Sequence, residues 1–66
     1  MEAASNILVI KTVSGMAMAV AAAIDALGIP KMVGCIAGDD TIMCAIRSVD
    51  DVAEVMNTFE KLINNS

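Results

Sequence analysis

Met32-Val33-Gly34-Cys35-Ile36-Ala37-Gly38-Asp39-Asp40-Thr41-Ile42-Met43-Cys44-Ala45-Ile46 consists of two apolar runs broken by one polar turn. Glycine followed by aspartate marks a tight turn. Glycine accepts unusual backbone angles, and an aspartate side chain can bond to its own backbone. The spacing predicts a hairpin with strands over Met32–Ala37 and Thr41–Ile46. Apolar residues occupy both faces of each predicted strand, Cys35 and Cys44 among them. Sheets of that kind are covered on both sides, and a two-layer domain covers only one. The pattern therefore calls for contacts with other copies of the chain.

Upstream, the β-branched-rich run Ile7-Leu8-Val9-Ile10 predicts a strand ending at Lys11-Thr12. Ser14-Gly15 punctuates the pattern, and Ser14, or more loosely Thr12, is the expected cap of a helix over Met16–Leu27. A surface helix normally has a dry face and a wet face, yet no polar side chain occurs between Met16 and Ile24. Val20, Ile24 and Leu27, with Ala17 beside them, are expected on the sheet. Met18 and Ala22 are left to be covered by another subunit. Gly28 and Ile29-Pro30 stop the helix. Asp25 lies in its last turn, the unfavourable end for a carboxylate, where it faces either water or a cationic partner.

Downstream, Ser48-Val49-Asp50-Asp51 reads as a capped helix start, with acidic side chains in the first turn. That helix runs to about Ile63. Its dry face is Val52, Val55 or Met56, Phe59, and Leu62 or Ile63, and the tail Asn64-Asn65-Ser66 is expected to fray. Residues 1–5 read as a start-up stretch ahead of the first strand. The expected order is β-α-β-β-α, an α+β two-layer sandwich. It is expected to be one domain over residues 1–66 with an ordered core over 6–63.

Composition narrows the function. Histidine is absent, which excludes a His-based triad, a His-ligated zinc site and a His proton shuttle. Two cysteines are too few for a four-cysteine zinc site and do not form a CxxC pair. They are expected to be small buried fillers in a reducing compartment, without a disulfide. Four basic residues against eight acidic ones give a net charge of -4. So small a basic complement builds no strong phosphate footprint, so this chain alone is not expected to bind nucleic acid or an anionic membrane. The acidic start lacks the basic region of a signal peptide. The apolar run Met16–Ile24 falls well short of the ~20 residues that span a bilayer. A soluble, cytoplasmic protein is expected. At 66 residues the core is thin, which again favours an oligomer.

Ala37-Gly38-Asp39-Asp40-Thr41 is the one cluster that packing does not account for. Two adjacent carboxylates repel each other unless water or a cation attends them. From the residues alone three readings stay open: a solvated turn, which is the commonest outcome, an organic cation, and a hard metal ion. A planar guanidinium would satisfy the pair with charge-assisted bonds. Magnesium or calcium would suit it better than zinc. Catalysis is not expected, because no base is available to activate Cys35 and adjacent carboxylates do not face one another across a cleft.

The chain resembles the C-terminal domain of the bacterial arginine repressor family from Asn6 to roughly Ile63. The resemblance rests on Asn6-Ile7-Leu8-Val9-Ile10-Lys11-Thr12, Gly15-Met16-Ala17, Val20-Ala21 and Ile24-Asp25-Ala26-Leu27-Gly28. Its strongest piece is Gly34-Cys35-Ile36-Ala37-Gly38-Asp39-Asp40-Thr41-Ile42. The resemblance implies a β-β-α-β-β-α domain whose first strand is missing or truncated here. It implies a non-enzymatic regulator of arginine metabolism genes, with no metal and no cofactor, and L-arginine as effector ligand. The domain would form trimers that stack into a hexamer. Operator DNA would be bound only through an N-terminal winged helix-turn-helix domain absent from this chain. The implied ligand-binding residues are Asp39 and Asp40, with Asp39 nearer the guanidinium, together with Asp25, Ala37, Met18 and Cys35. Family members commonly carry glutamine at Met18 and threonine at Cys35. Methionine offers no amide hydrogen bond and cysteine only a weak one, so either arginine binds about one or two decades more weakly or water fills in for the lost bonds. The alternative is a purely structural oligomerisation domain that no longer binds arginine.

Overall fold

The computed structural model describes residues 1–64, with side chains through Lys61. The expected fraying of the tail Asn64-Asn65-Ser66, and the choice between Leu62 and Ile63 on the dry face, lie outside the described side chains. The order is β1 (Glu2–Ala4), β2 (Ile7–Lys11), α1 (Ala17–Leu27), β3 (Met32–Ala37), β4 (Thr41–Ile46), a 3-10 turn (Val49–Asp51) and α2 (Val52–Asn64). The first strand is therefore present, which corrects the expected β-α-β-β-α order to a full β-β-α-β-β-α. Glu2-Ala3-Ala4 pairs antiparallel with β2, Glu2 opposite Val9 and Ala4 opposite Ile7. Alanine and glutamate are depleted in strands, and the connecting turn uses Ser5 at φ 54 in place of glycine. The sequence therefore gave neither a strand signal nor a turn signal there.

All four strands are antiparallel, in the order β1-β2-β4-β3. Both helices lie on one face, α1 chiefly over β3 and β4, and α2 over β2. Alternation along the central strands builds the core. Leu8 of β2 and Ile42, Cys44 and Ile46 of β4 are buried beneath Ala17, Ala21 and Ile24 of α1 and Val52, Val55 and Phe59 of α2. On β3 the register against β4 shifts by one residue between Met32 and Gly34. The extra residue, Val33, lets both Met32 and Cys35 face the helices and leaves Val33 exposed.

The other face of the sheet is bare. Ile36, Met43 and Val9 form one cross-strand row, and Gly34, Ala45 and Ile7 form the next. Ile36 is 78% exposed and Met43 51%. The expectation that one chain covers only one side of its sheet holds.

The dry face of α2 follows the predicted spacing, whereas α1 is rotated from the expected one. Ala17, Ala21 and Ile24 are buried, Val20 is half-buried and Leu27 is exposed. An alanine-rich helix has almost no hydrophobic asymmetry with which to fix its rotation, so the small residues set the close approach to β3. Gly28 ends the helix at φ 62, its N–H bonding the Asp25 carbonyl at 3.1 Å. Ser48 caps the turn before α2, its hydroxyl accepting from the Asp50 N–H at 3.2 Å. Lys31, just ahead of β3, reaches α2 through Glu54 (3.1 Å) and the 3-10 turn through Asp51 (3.3 Å).

Candidate functional site

The acidic turn is locked by main chain. The Gly38 N–H donates to the Thr41 carbonyl at 2.8 Å and closes the hairpin. The Asp39 carbonyl accepts from the Gly15 N–H (3.0 Å) and the Ala17 N–H (3.2 Å), and the Asp40 carbonyl accepts from the Thr12 N–H (2.7 Å). These bonds seat the first turn of α1 on the hairpin. No side chain caps α1; the residue at the cap position is Met16. The expected caps Ser14 and Thr12 do not act; the Asp39 carbonyl takes the first helical N–H, that of Ala17.

The two carboxylates differ in their surroundings. Asp40 accepts from the Thr41 hydroxyl at 2.8 Å and lies 3.7 Å from the Lys11 ammonium, which itself donates to Thr41 at 2.8 Å. The Thr41 hydroxyl, and then the Lys11 charge, hold the Asp40 carboxyl below the usual aspartate range. Lys11 thus pairs with the turn. The register that places Lys11 opposite Thr41 was the signal available for that pairing. Asp39 is exposed, and its carboxylate has no hydrogen-bond or ionic partner among the described residues.

The remaining candidates run along α1 and β3. Met18, Ala22 and Asp25 share one exposed stripe of the helix. Met18 is 72% exposed, next to the residue that bonds Asp39. Asp25 lies seven residues on, about 10 Å along the axis. The Cys35 thiol reaches from β3 and donates to the Asp25 carboxylate (3.8 Å) and the Ala21 carbonyl (3.9 Å). Cys35 is half-buried, not the fully buried filler expected, and Cys44 is buried. Ala37 ends β3 beside the turn, half-buried. The structure thus gathers Ala37, Asp39 and Asp40 into one group and Asp25 and Cys35 into another, with Met18 near the first. Among the described residues no group of three or more His, Cys, Asp or Glu side chains could hold a metal ion.

Fold and site together define a small two-layer α+β domain that presents a rigid acidic turn and a bare apolar sheet face. Residues 1–61 match the family described as the arginine repressor C-terminal domain, and the chain belongs to that family. It is 67% identical over its whole length to the arginine repressor of Lachnoclostridium phytofermentans, covering 43% of that protein. It is 65% identical over its whole length to that of Lachnospira eligens, covering 44%. It is 50% identical over 60 residues, 91% of the chain, to that of Alkaliphilus oremlandii, covering 40%. The chain therefore spans less than half the length of these curated relatives. No helix among the described residues is long and apolar enough to cross a membrane.

Proposed function

We propose that this domain senses L-arginine at a contact between its own copies and thereby sets the assembly of a transcriptional regulator of arginine metabolism. It is a regulatory domain, not an enzyme. The Asp39 carboxylate carries the reading: it is exposed and unpartnered among the described residues, on a turn whose main chain is fixed on both sides. A fixed anionic group of this kind suits a planar guanidinium, which can make two parallel charge-assisted bonds to it. Asp40 is held by Thr41 and Lys11 and serves more to shape the turn than to bind first. Asp25 and the Ala37 backbone complete the site, with Met18 and Cys35 at its margin. Copies associate as trimers through apolar surface, and arginine bridges two trimers into a hexamer. Ligand that binds only the assembled form stabilises it by mass action. In a longer parent chain an N-terminal winged helix-turn-helix domain would bind operator DNA.

A second reading is favoured by one observation. Met18 presents a thioether, and the Cys35 thiol is directed at Asp25, where an effector pocket would gain from amide and hydroxyl groups. On that reading the domain is a structural oligomerisation module without a ligand.

Calorimetry with L-arginine and L-citrulline, paired with sedimentation, separates the two. Citrulline keeps the shape and drops the charge. Binding of arginine alone, with a larger assembly in its presence, is expected. Equal affinity for both would refute the guanidinium–carboxylate pairing, and binding of neither would establish the structural reading.

A further inference from the structure

We propose that Cys35 and Cys44 are a thiol–disulfide pair that closes reversibly across the β3–β4 hairpin. The two residues are directly opposite in register. The hairpin closes with a hydrogen-bonded Gly38–Thr41 pair, and hydrogen-bonded and open pairs alternate along an antiparallel ladder. Counting from Thr41, Ile36–Met43 is hydrogen-bonded and Cys35–Cys44 is open. The other side of β4 agrees, since the Thr12 N–H bonds Asp40 and the Ile46 N–H bonds Asn6, which assigns the even positions of β4 to β2. Open pairs bring their Cα atoms to about 4.5 Å with the side chains drawn together, at the near end of the roughly 4.4–6.8 Å range that disulfides span. Both side chains point to the helix side of the sheet.

The two sulfurs differ in access. Cys35 is half-buried and Cys44 is sealed in the core. Closure needs a small-molecule disulfide as oxidant. The Cys35 thiol loses its proton to solvent, its sulfur attacks one sulfur of the oxidant, and a first thiolate leaves. The Cys44 thiol then loses its proton, and its sulfur attacks the Cys35 sulfur of the mixed disulfide and expels the second thiolate. Two electrons and two protons pass to the oxidant, which ends as two thiols. Burial raises both protein thiols, Cys44 to about 11, so closure is slow at neutral pH and quickens as pH rises. Closure also removes the S–H that Cys35 donates to Asp25 and the Ala21 carbonyl.

The test is incubation of the chain with oxidised glutathione, alkylation with iodoacetamide and intact mass analysis. A monomeric species lighter by two hydrogens, unalkylated and reversed by dithiothreitol, is expected. Cys44→Ala is expected to stop at a glutathione adduct on Cys35. Cys35→Ser keeps the fully buried Cys44 in place and is expected to remain a single thiol with no closed form. Two alkylated cysteines at every glutathione ratio, adducts without closure in the parent chain, or bonds formed only between chains would each overturn the proposal. None of these readouts depends on arginine binding.

Discussion

Asp39 and Asp40 are neighbours in sequence with different surroundings. Asp40 has a hydroxyl and an ammonium in its own chain, whereas Asp39 has neither. Asp39→Asn is therefore expected to abolish the effect of arginine on sedimentation while leaving the melting temperature nearly unchanged, because the carbonyl that seats α1 is retained. Asp40 sets a pH dependence. Its folded-state pKa is depressed, so its contribution to stability is present above the unfolded value near 3.8 and is lost as pH falls through the folded one. Asp40→Asn should flatten the stability profile in that acid window, as read by denaturant melts at successive pH. Cys44 acts at the other end. Its thiol is raised from 9.0 to about 11 by burial, so the folded state holds a proton that the unfolded chain gives up. Stability should decline from about pH 9 to 11, by about 3 kcal/mol at most, and less steeply in Cys44→Val.

Elements with strong local signals were legible in the sequence, and those fixed by tertiary register were not. The hairpin, the stop at Gly28 and the buried stripe of α2 followed from glycine, aspartate and period-3.6 spacing. β1 has three residues of low strand propensity and a turn without glycine, so only its pairing with β2 reveals it. The rotation of α1 was hidden because every residue from Met16 to Ile24 is apolar. The same limit applies to the site. The carboxylates and the thiols could be read as types, but that Lys11 answers Asp40, or that Cys35 faces Cys44, is a statement about strand register. Capping gives a test at this scale. Ser48→Ala removes the acceptor for the Asp50 N–H and should cost about 1 kcal/mol in urea unfolding. Gly28→Ala meets no steric obstacle, with nothing within 4 Å of the added carbon. Its cost, about 1 kcal/mol, would be purely that of the left-handed backbone.

The whole molecule has one finished side and one unfinished side. The helix layer closes over Leu8, Ile42 and Ile46, while Ile36, Met43 and Val33 stand in solvent on the far face. Contiguous apolar surface of this kind marks an interaction site. Beyond it lies a groove of about 300 Å³ between the helices, lined by Ile10, Val20, Ala23, Ile24, Leu27 and Phe59. Ile36→Asp with Met43→Asp should leave the chain folded by circular dichroism, since neither residue is in the core. Sedimentation should move toward the mass of a single chain, and an unchanged profile would assign the contacts to the groove side.

α1 is fastened to the hairpin by the oxygen of a peptide group, not by the carboxylate attached to the same residue. Any amino acid with an unconstrained backbone there keeps that joint intact. The helix stays seated whichever functional group position 39 displays, so chemical preference at this surface can be exchanged by a single codon without rebuilding the scaffold beneath it.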